Sequence, residues 1–335
     1  MIREAIEKAV NRINLSEGEI REVFDEIMSG KAAQSQIGSF LTALRMKGET
    51  VDEITGAAKV MREKSVHINV GEAVVDTCGT GGSKANTFNI STTAAFVVAG
   101  CGLKVAKHGN RGSSSLCGSA DVLEALGVRL DTSPELVERC IREVGMGFMY
   151  APLFHGAMKH AVGPRKEIGI RTIFNILGPL SNPANAASQV LGVYDAALTE
   201  VMAGVLKNLG VRRAFVVHGM DGLDEITITG ETKISELNDG KITTYVVTPE
   251  KFGLKEAALE DIKGGSAKEN AEILLSILKG SPGSMRDIVL LNSSAALVCG
   301  FKAKDFKDGV KLAKGAIDSG KALDRLQKMI EFTNR

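Results

Sequence analysis

The chain has 335 residues, enough for two domains of ordinary size, and 44% of them are hydrophobic, so it can fill a substantial core. Lysine plus arginine (41) nearly balance aspartate plus glutamate (40), tryptophan is absent and aromatic residues make up 4%, which excludes the overall positive field and the stacking platforms of a nucleic-acid binder. No apolar run reaches the length of a membrane span, and the five cysteines (Cys78, Cys101, Cys117, Cys140 and Cys299) form no C-x-x-C pair, which argues against a disulfide framework or a zinc site.

MIREAIEKAVNRI at the N-terminus mixes acids and bases at helical spacing, unlike a secretory signal, so a cytoplasmic protein with no membrane and no nucleic-acid partner is expected. From there to about residue 65 the periodicity is purely helical. Ser16 with Glu19 and Thr50 with Glu53 are capping boxes, each leading into an apolar stripe: Ile20, Val23, Phe24 and Ile27, then Ile54, Ala57 and Met61. Gly30 and Gly48 sit where helices should stop. Next, β-rich runs alternate with helices: AVVDTC before STTAAFVVAG, KVAK before SADVLEALG, then QVLGVYD, LTEVMAGVLKNLG and AFVVHG. Thr132, Ser133 and Pro134 open a further helix with Leu136, Val137, Cys140, Ile141 and Val144 on its apolar face. GPRKEIGIRTIFNILGPLSNP interrupts the alternation; its two Gly-Pro steps bracket one apolar helix-like segment, expected to pack back on the first domain. From SMRDIVLL onward the chain reads as helical. Alternation of this kind implies parallel strands with crossover helices. The fold class is therefore α/β, with a small N-terminal helical domain (1–68, joined by part of 157–183) and a larger α/β domain (70–335) around a mainly parallel central sheet.

Three loops follow probable strands and so lie at the carboxyl edge of that sheet, where open α/β folds bind ligands. DTCGTGGSKANTFNIST, Asp76 to Thr92, packs glycines and hydroxyls ahead of a helix N-terminus, a natural anion cradle. It matches neither G-x-G-x-x-G nor the P-loop pattern, because position 84 is lysine, and a glycine-rich turn without a ligand is the alternative. KHGNRGSSSLCGSAD, Lys107 to Asp121, joins two cations to serines and glycines. HGMDGLDE brings three acids, Asp221, Asp224 and Glu225; alone it reads as a solvated loop, but beside phosphate donors it suits Mg²⁺ on a phosphorylated substrate.

GTGG with TFNIST, KHGNR with GSADVLEALG, GPRKEIGIRTIFNILGPLSNPA and HGMDGLDE resemble, in order and spacing, the anthranilate phosphoribosyltransferases of tryptophan biosynthesis, over nearly the whole chain. The resemblance implies a nucleoside phosphorylase/phosphoribosyltransferase-like fold, a cleft between the two domains, and a homodimer formed through the helical domains. It implies transfer of the phosphoribosyl group of 5-phosphoribosyl 1-pyrophosphate (PRPP) to anthranilate, with two Mg²⁺ ions bound with PRPP. By motif, Gly79, Gly82, Ser83, Thr87, Asn89, Ile90, Ser91, Thr92, Lys107, Ser115 and Ser119 are expected to bind PRPP. Asp224, Glu225 and Ser91 are expected to bind metal. Gly79, Asn110 and Arg165 are expected to contact anthranilate, while His108, Pro152, His155 and Pro179 shape an aromatic channel, with packing an equal alternative for His155. His108 is the candidate for proton transfer. Ser83 and Lys84 stand where the family commonly has aspartate after GTGG, Leu116 where a basic residue is frequent, and Gly156 where proline is usual. The rival readings are a pyrimidine nucleoside phosphorylase-like enzyme and a noncatalytic nucleic-acid-binding member of the fold.

Overall fold

The computed structural model describes residues 1–83, 85–112 and 116–335. Four helices come first: α1 (Ile2–Val10), α2 (Glu17–Met28), α3 (Gln34–Lys47) and α4 (Val51–Glu63). Both expected capping boxes form, with the Ser16 and Thr50 hydroxyls accepting from the amides of Glu19 and Glu53. Glu53 is fully buried yet satisfied, because its carboxylate accepts from the amides of Leu15 and Thr50 and pairs with Lys47 at 2.9 Å. A buried ion pair of this kind holds only with its remaining lone pairs occupied.

β1 (Val75–Gly79), α5 (Ile90–Gly100), β2 (Val105–Gly109), α6 (Ser119–Ala125), α7 (Pro134–Val144) and β3 (Met146–Tyr150) follow. β3 was not expected: it starts one residue after Gly145, whose left-handed φ of 94° ends α7, so its apolar run merges with the helix pattern. Then come α8 (Ala151–Phe154), α9 (Lys159–Ile168), α10 (Phe174–Leu177), β4 (Ser188–Gly192), α11 (Leu198–Asn208) and β5 (Arg213–Gly219). The expected single segment between Gly-Pro steps is in fact two helices. Pro164 lies inside α9, and Gly169 at φ 67° ends it. β6 (Thr232–Asn238) and β7 (Lys241–Val247) form a hairpin also absent from the sequence reading. The chain ends in α12 (Ala267–Leu278), α13 (Ser284–Cys299), α14 (Phe306–Asp318) and α15 (Lys321–Thr333).

Among the described residues the sheet has seven strands in the order β3-β2-β1-β4-β5-β6-β7; the first five are parallel, and β6 and β7 add an antiparallel edge. One face is covered by α5, α13, α14 and α15, with Phe96, Phe215 and Leu291 in that core. On the other face, a second core joins the N-terminal helices to α9, α10, α11 and the sheet, through Phe24, Phe40, Phe174 and Val216. Because β1, β2, β4 and β5 run parallel, the loops after β1, β2 and β5 open along the same edge of the sheet. No helix among the described residues is long and apolar enough to cross a membrane.

Candidate active site

Where β1 ends, the chain must turn at once, and Gly81 (φ 68°) and Gly82 (φ 87°) adopt the left-handed conformation that side chains disfavour. The turn is held from three sides. Asp224 Oδ2 accepts from the Gly81 amide at 2.8 Å, Arg171 Nη2 donates to the Gly82 carbonyl at 2.8 Å, and the Thr80 hydroxyl accepts from the Tyr194 amide at 3.1 Å. Arg171 also lies over the Tyr194 ring, 4.3 Å from its centroid. After this loop, α5 begins with Asn89 as its N-cap. The Asn89 side chain makes no capping bond; it braces Cys117 and Asn270 instead. The first-turn amides of α5 thus face a polar cleft of about 290 Å³.

That cleft is lined by Gly79, Gly82, Ser83, Thr87, Asn89, Ile90, Ser91, Thr92, Lys107, His108, Asn110, Ser119, Asp224 and Glu225, so residues 146 positions apart in the chain meet in one place. Ser115 and Lys84 lie outside the described residues. Asp221, the remaining acid of the β5 loop, stays exposed and accepts from the hydroxyls of Thr227 and Thr229, bracing the loop rather than lining the cleft. Leu116 is exposed.

Lys107 is buried at 2% exposure; its ammonium donates to the Thr77 carbonyl and to Ser91 Oγ at 3.3 Å. Burial pulls its pKa down, while Asp76 and Glu225 favour the charge. Asp76, fully buried behind it, accepts from Asn182 Nδ2 at 2.8 Å and from the His108 amide at 3.4 Å, tying β1, β2 and the segment after α10 together. Asp224 is pushed up by burial. Burial and the neighbouring Asp224 push Glu225 up to about 8, against Lys107 and hydrogen bonds from Ser91. Two adjoining half-buried carboxylates left undercompensated, beside a hydroxyl, fit a hard divalent cation. Among the described residues no group of three or more His, Cys, Asp or Glu could hold a metal alone, so a cation here would complete its shell from a bound phosphate and water, as magnesium does.

A second cleft of about 410 Å³ adjoins the first and shares His108 and Asn110 with it. Pro152, His155, Met158, Val162, Arg165 and Phe174 complete a wall more apolar than the first, contributed by β2, α8, α9 and α10. Arg165 stands 5.1 Å over the Phe174 ring, and burial lowers its pKa without removing its charge. A single guanidinium in an apolar slot suits a planar aromatic carboxylate. Pro179 is not in this wall; it is buried behind it, with its carbonyl accepting from Gln189 Nε2 at 2.6 Å. His108 touches His155, the two rings being 4.9 Å apart. Arg171, Asp76, Asn182 and Gln189 lie inside the quoted stretches but were given no role there, since each acts through a main-chain or buried contact made only by the fold.

Comparison with known proteins places this geometry. Residues 71–323 match the model of a glycosyl transferase family α/β domain, and residues 3–65 that of the corresponding helical bundle domain. The anthranilate phosphoribosyltransferase of Citrifermentans bemidjiense is 58% identical over 349 residues, covering 100% of this chain and 99% of the relative; that of Acetivibrio thermocellus is 59% identical over 336 residues, covering 100% and 97%. Among solved structures, the Thermus thermophilus anthranilate phosphoribosyltransferase superposes with a TM-score of 0.93 at 41% identity over 99% of both chains. The Saccharomyces cerevisiae enzyme in complex with PRPP and Mg does so with a TM-score of 0.91 at 30% identity over 99% of this chain and 98% of that one. The chain belongs to the anthranilate phosphoribosyltransferase family.

Proposed function

We propose that the two adjoining clefts form one active site, which transfers the 5-phosphoribosyl group of PRPP to the amine of anthranilate and yields N-(5-phosphoribosyl)anthranilate and pyrophosphate in tryptophan biosynthesis. The observation that carries this is the adjacency itself. A cleft of glycine-loop amides, a helix N-terminus and paired carboxylates opens, through His108 and Asn110, onto a slot holding Arg165. Solved relatives bound to PRPP with Mg and to 4-fluoroanthranilate support the pairing of ligands.

In this reading Gly79, Gly82, Ser83, Thr87, Asn89, Ile90, Ser91, Thr92, Lys107 and Ser119 hold the phosphates and ribose of PRPP. Hydrogen bonds to charged groups contribute about 1.5–3 kcal/mol each. Asp224, Glu225 and Ser91 would hold magnesium, two ions bound with PRPP, which when bound neutralises charge on the departing pyrophosphate. Arg165 and Asn110 orient anthranilate so that its amine faces the ribose. The C1′–O bond breaks through an oxocarbenium-like transition state, comparable to glycoside cleavage, and the amine attacks the opposite face with inversion. The amine lone pair is free at neutral pH, so positioning and electrostatics dominate the rate.

The helical unit (1–68 with part of 157–183) and the α/β unit (70–335) divide the work, the first supplying the wall behind anthranilate. A shallow apolar face at Val10, Gly38, Thr42 and Met46, with Met46 72% exposed, supports pairing of two copies through the helical domains. Cys78, Cys101, Cys140 and Cys299, which no disulfide joins, suit a cytoplasmic enzyme. The test is mass spectrometry of the product formed from anthranilate and PRPP, with Mg²⁺ and after chelation. Phosphoribosylanthranilate formed only with metal supports the assignment; its absence with folded protein and metal overturns it.

A further inference from the structure

We propose that His108 and His155 form a proton-sharing pair that takes up the proton lost by the aromatic amine as the C–N bond forms. This rests on the reaction proposed above.

His108 Nε2 and His155 Nε2 face each other at 3.2 Å. His108 Nδ1 lies 3.2 Å from the Gly178 carbonyl, which can only accept, so Nδ1 carries the hydrogen and the Nε2 of the neutral ring is bare. The Ser181 main chain hydrogen-bonds His155 in the sense that favours its charged form, fixing the second ring alike. Two bare lone pairs in contact repel, and one proton between them satisfies both. The pair therefore has a place for a single proton, in a cleft wall where the two side chains are only 7% and 6% exposed.

The surroundings determine when that place is filled. Burial lowers both rings, to about 3 for His108 and about 4 for His155; His155 itself and then Lys107 push His108 down further, and His67 acts likewise on His155, against the main-chain bonds at Gly178 and Ser181. Arg165 and Lys159 add positive charge from α9, and Asp76, bonded to the His108 amide, opposes them. A bound aromatic carboxylate would offset Arg165 and Lys159, making the pair a better acceptor once substrate is in place. In the step, the amine lone pair forms the bond to C1′ and the C1′–O electron pair leaves with pyrophosphate. One N–H proton then passes to the paired Nε2 atoms, its electrons becoming the lone pair of the secondary amine. Water takes the proton after product release.

The test compares the full-length protein with H108Q, H155Q and the double variant, measuring single-turnover rates in H2O and D2O and both KM values. A sharing pair predicts a loss of about tenfold or more in each single variant, within the usual range for general base catalysis. It also predicts a double variant no slower than the slower single variant, KM values within about threefold, and loss of the parent's solvent isotope effect, because residues acting as a unit are non-additive. A single-variant rate within twofold of the parent, multiplicative losses, or an unchanged isotope effect overturns it. Should the variants fail to fold, ¹⁵N-histidine NMR of the parent with benzoate as the carboxylate probe decides: uptake of one proton between the two rings supports the pair, and two independent titrations refute it. A parent that binds benzoate and shows the shared proton yet does not turn over anthranilate would instead overturn the assigned reaction.

Discussion

Gly192→Ala places a methyl group where the main chain of the acidic loop crosses the end of β4. The added Cβ would lie 1.6 Å from the Asp224 carbonyl oxygen, where 3.0 Å is about the closest real approach, so that carbonyl must retreat by about 1.4 Å. Overpacking of this kind costs about 1–3 kcal/mol, against a total stability of about 5–15 kcal/mol, so the protein should still fold. The site should not survive intact. A shift of that size breaks the 2.8 Å bond from Asp224 to the Gly81 amide and displaces both carboxylates together. Misplacement by about 1 Å can cost on the order of 100-fold, and kcat/KM for PRPP should fall by about that factor, with a higher Mg²⁺ requirement. The assay is initial rate against PRPP at saturating anthranilate and several Mg²⁺ concentrations, with circular dichroism confirming the fold. A folded variant within threefold of the parent at every Mg²⁺ concentration would refute the placement of Asp224 and Glu225 beside β4.

Without metal, burial and the neighbouring Asp224 push Glu225 up to about 8 from the ordinary glutamate value of 4.5, so the stability this group contributes is fully present below about 4.5 and is lost as pH rises to about 8. Glu225→Gln should therefore melt at the same temperature as the parent at pH 5 but higher at pH 9 in chelator, while losing Mg²⁺-dependent activity; parallel melting curves would contradict the raised carboxyl. Arg171→Gln removes the bond to the Gly82 carbonyl and the contact with Tyr194. It should raise the KM for PRPP by about 10-fold or more, as expected for a charged hydrogen bond, and leave the KM for anthranilate nearly unchanged; equal rises in both would show general damage. Ser83→Asp adds a negative charge to the wall of the polar cleft and should alter the Mg²⁺ titration, with stronger inhibition at high metal; superimposable titrations would refute that reading.

Much of the fold could be read from residue patterns. The capping boxes at Ser16 and Thr50, and the strands around Val75, Val105, Val190 and Val216, stand out because each has a strong periodic signal between clear stop residues. β3 was missed because MGFMY follows α7 with only Gly145 between, so no polar break separates helix from strand. The β6–β7 hairpin was a different failure. Asp239 and Gly240 both have positive φ, 44° and 83°, and Asp-Gly is the strongest short hairpin signal, so the information was present in TKISELNDGKITTYVV. Pro164 misled in the opposite sense: α9 continues through it, although proline usually ends a helix. Within the site, motif residues such as Asn89, Lys107 and Glu225 were legible from loop chemistry and family likeness. Asp76 reaching Asn182, Arg171 reaching Gly82 and His108 reaching His155 were not, because each contact spans 47 residues or more and depends on how the second core packs α9 and α10 against the sheet.

The division of labour between the two clefts is tested most directly by steady-state kinetics of Arg165→Gln and Asp224→Asn, with both substrates varied. Two adjoining subsites of one site require Arg165→Gln to raise the KM for anthranilate by about 10-fold or more, the scale of a charged hydrogen bond, with the KM for PRPP unchanged. They require Asp224→Asn to impair PRPP use and Mg²⁺ activation while leaving the KM for anthranilate nearly as it was. The reverse pattern, or a loss of neither substrate's affinity and no loss of rate in either variant, would contradict the assignment of the two clefts.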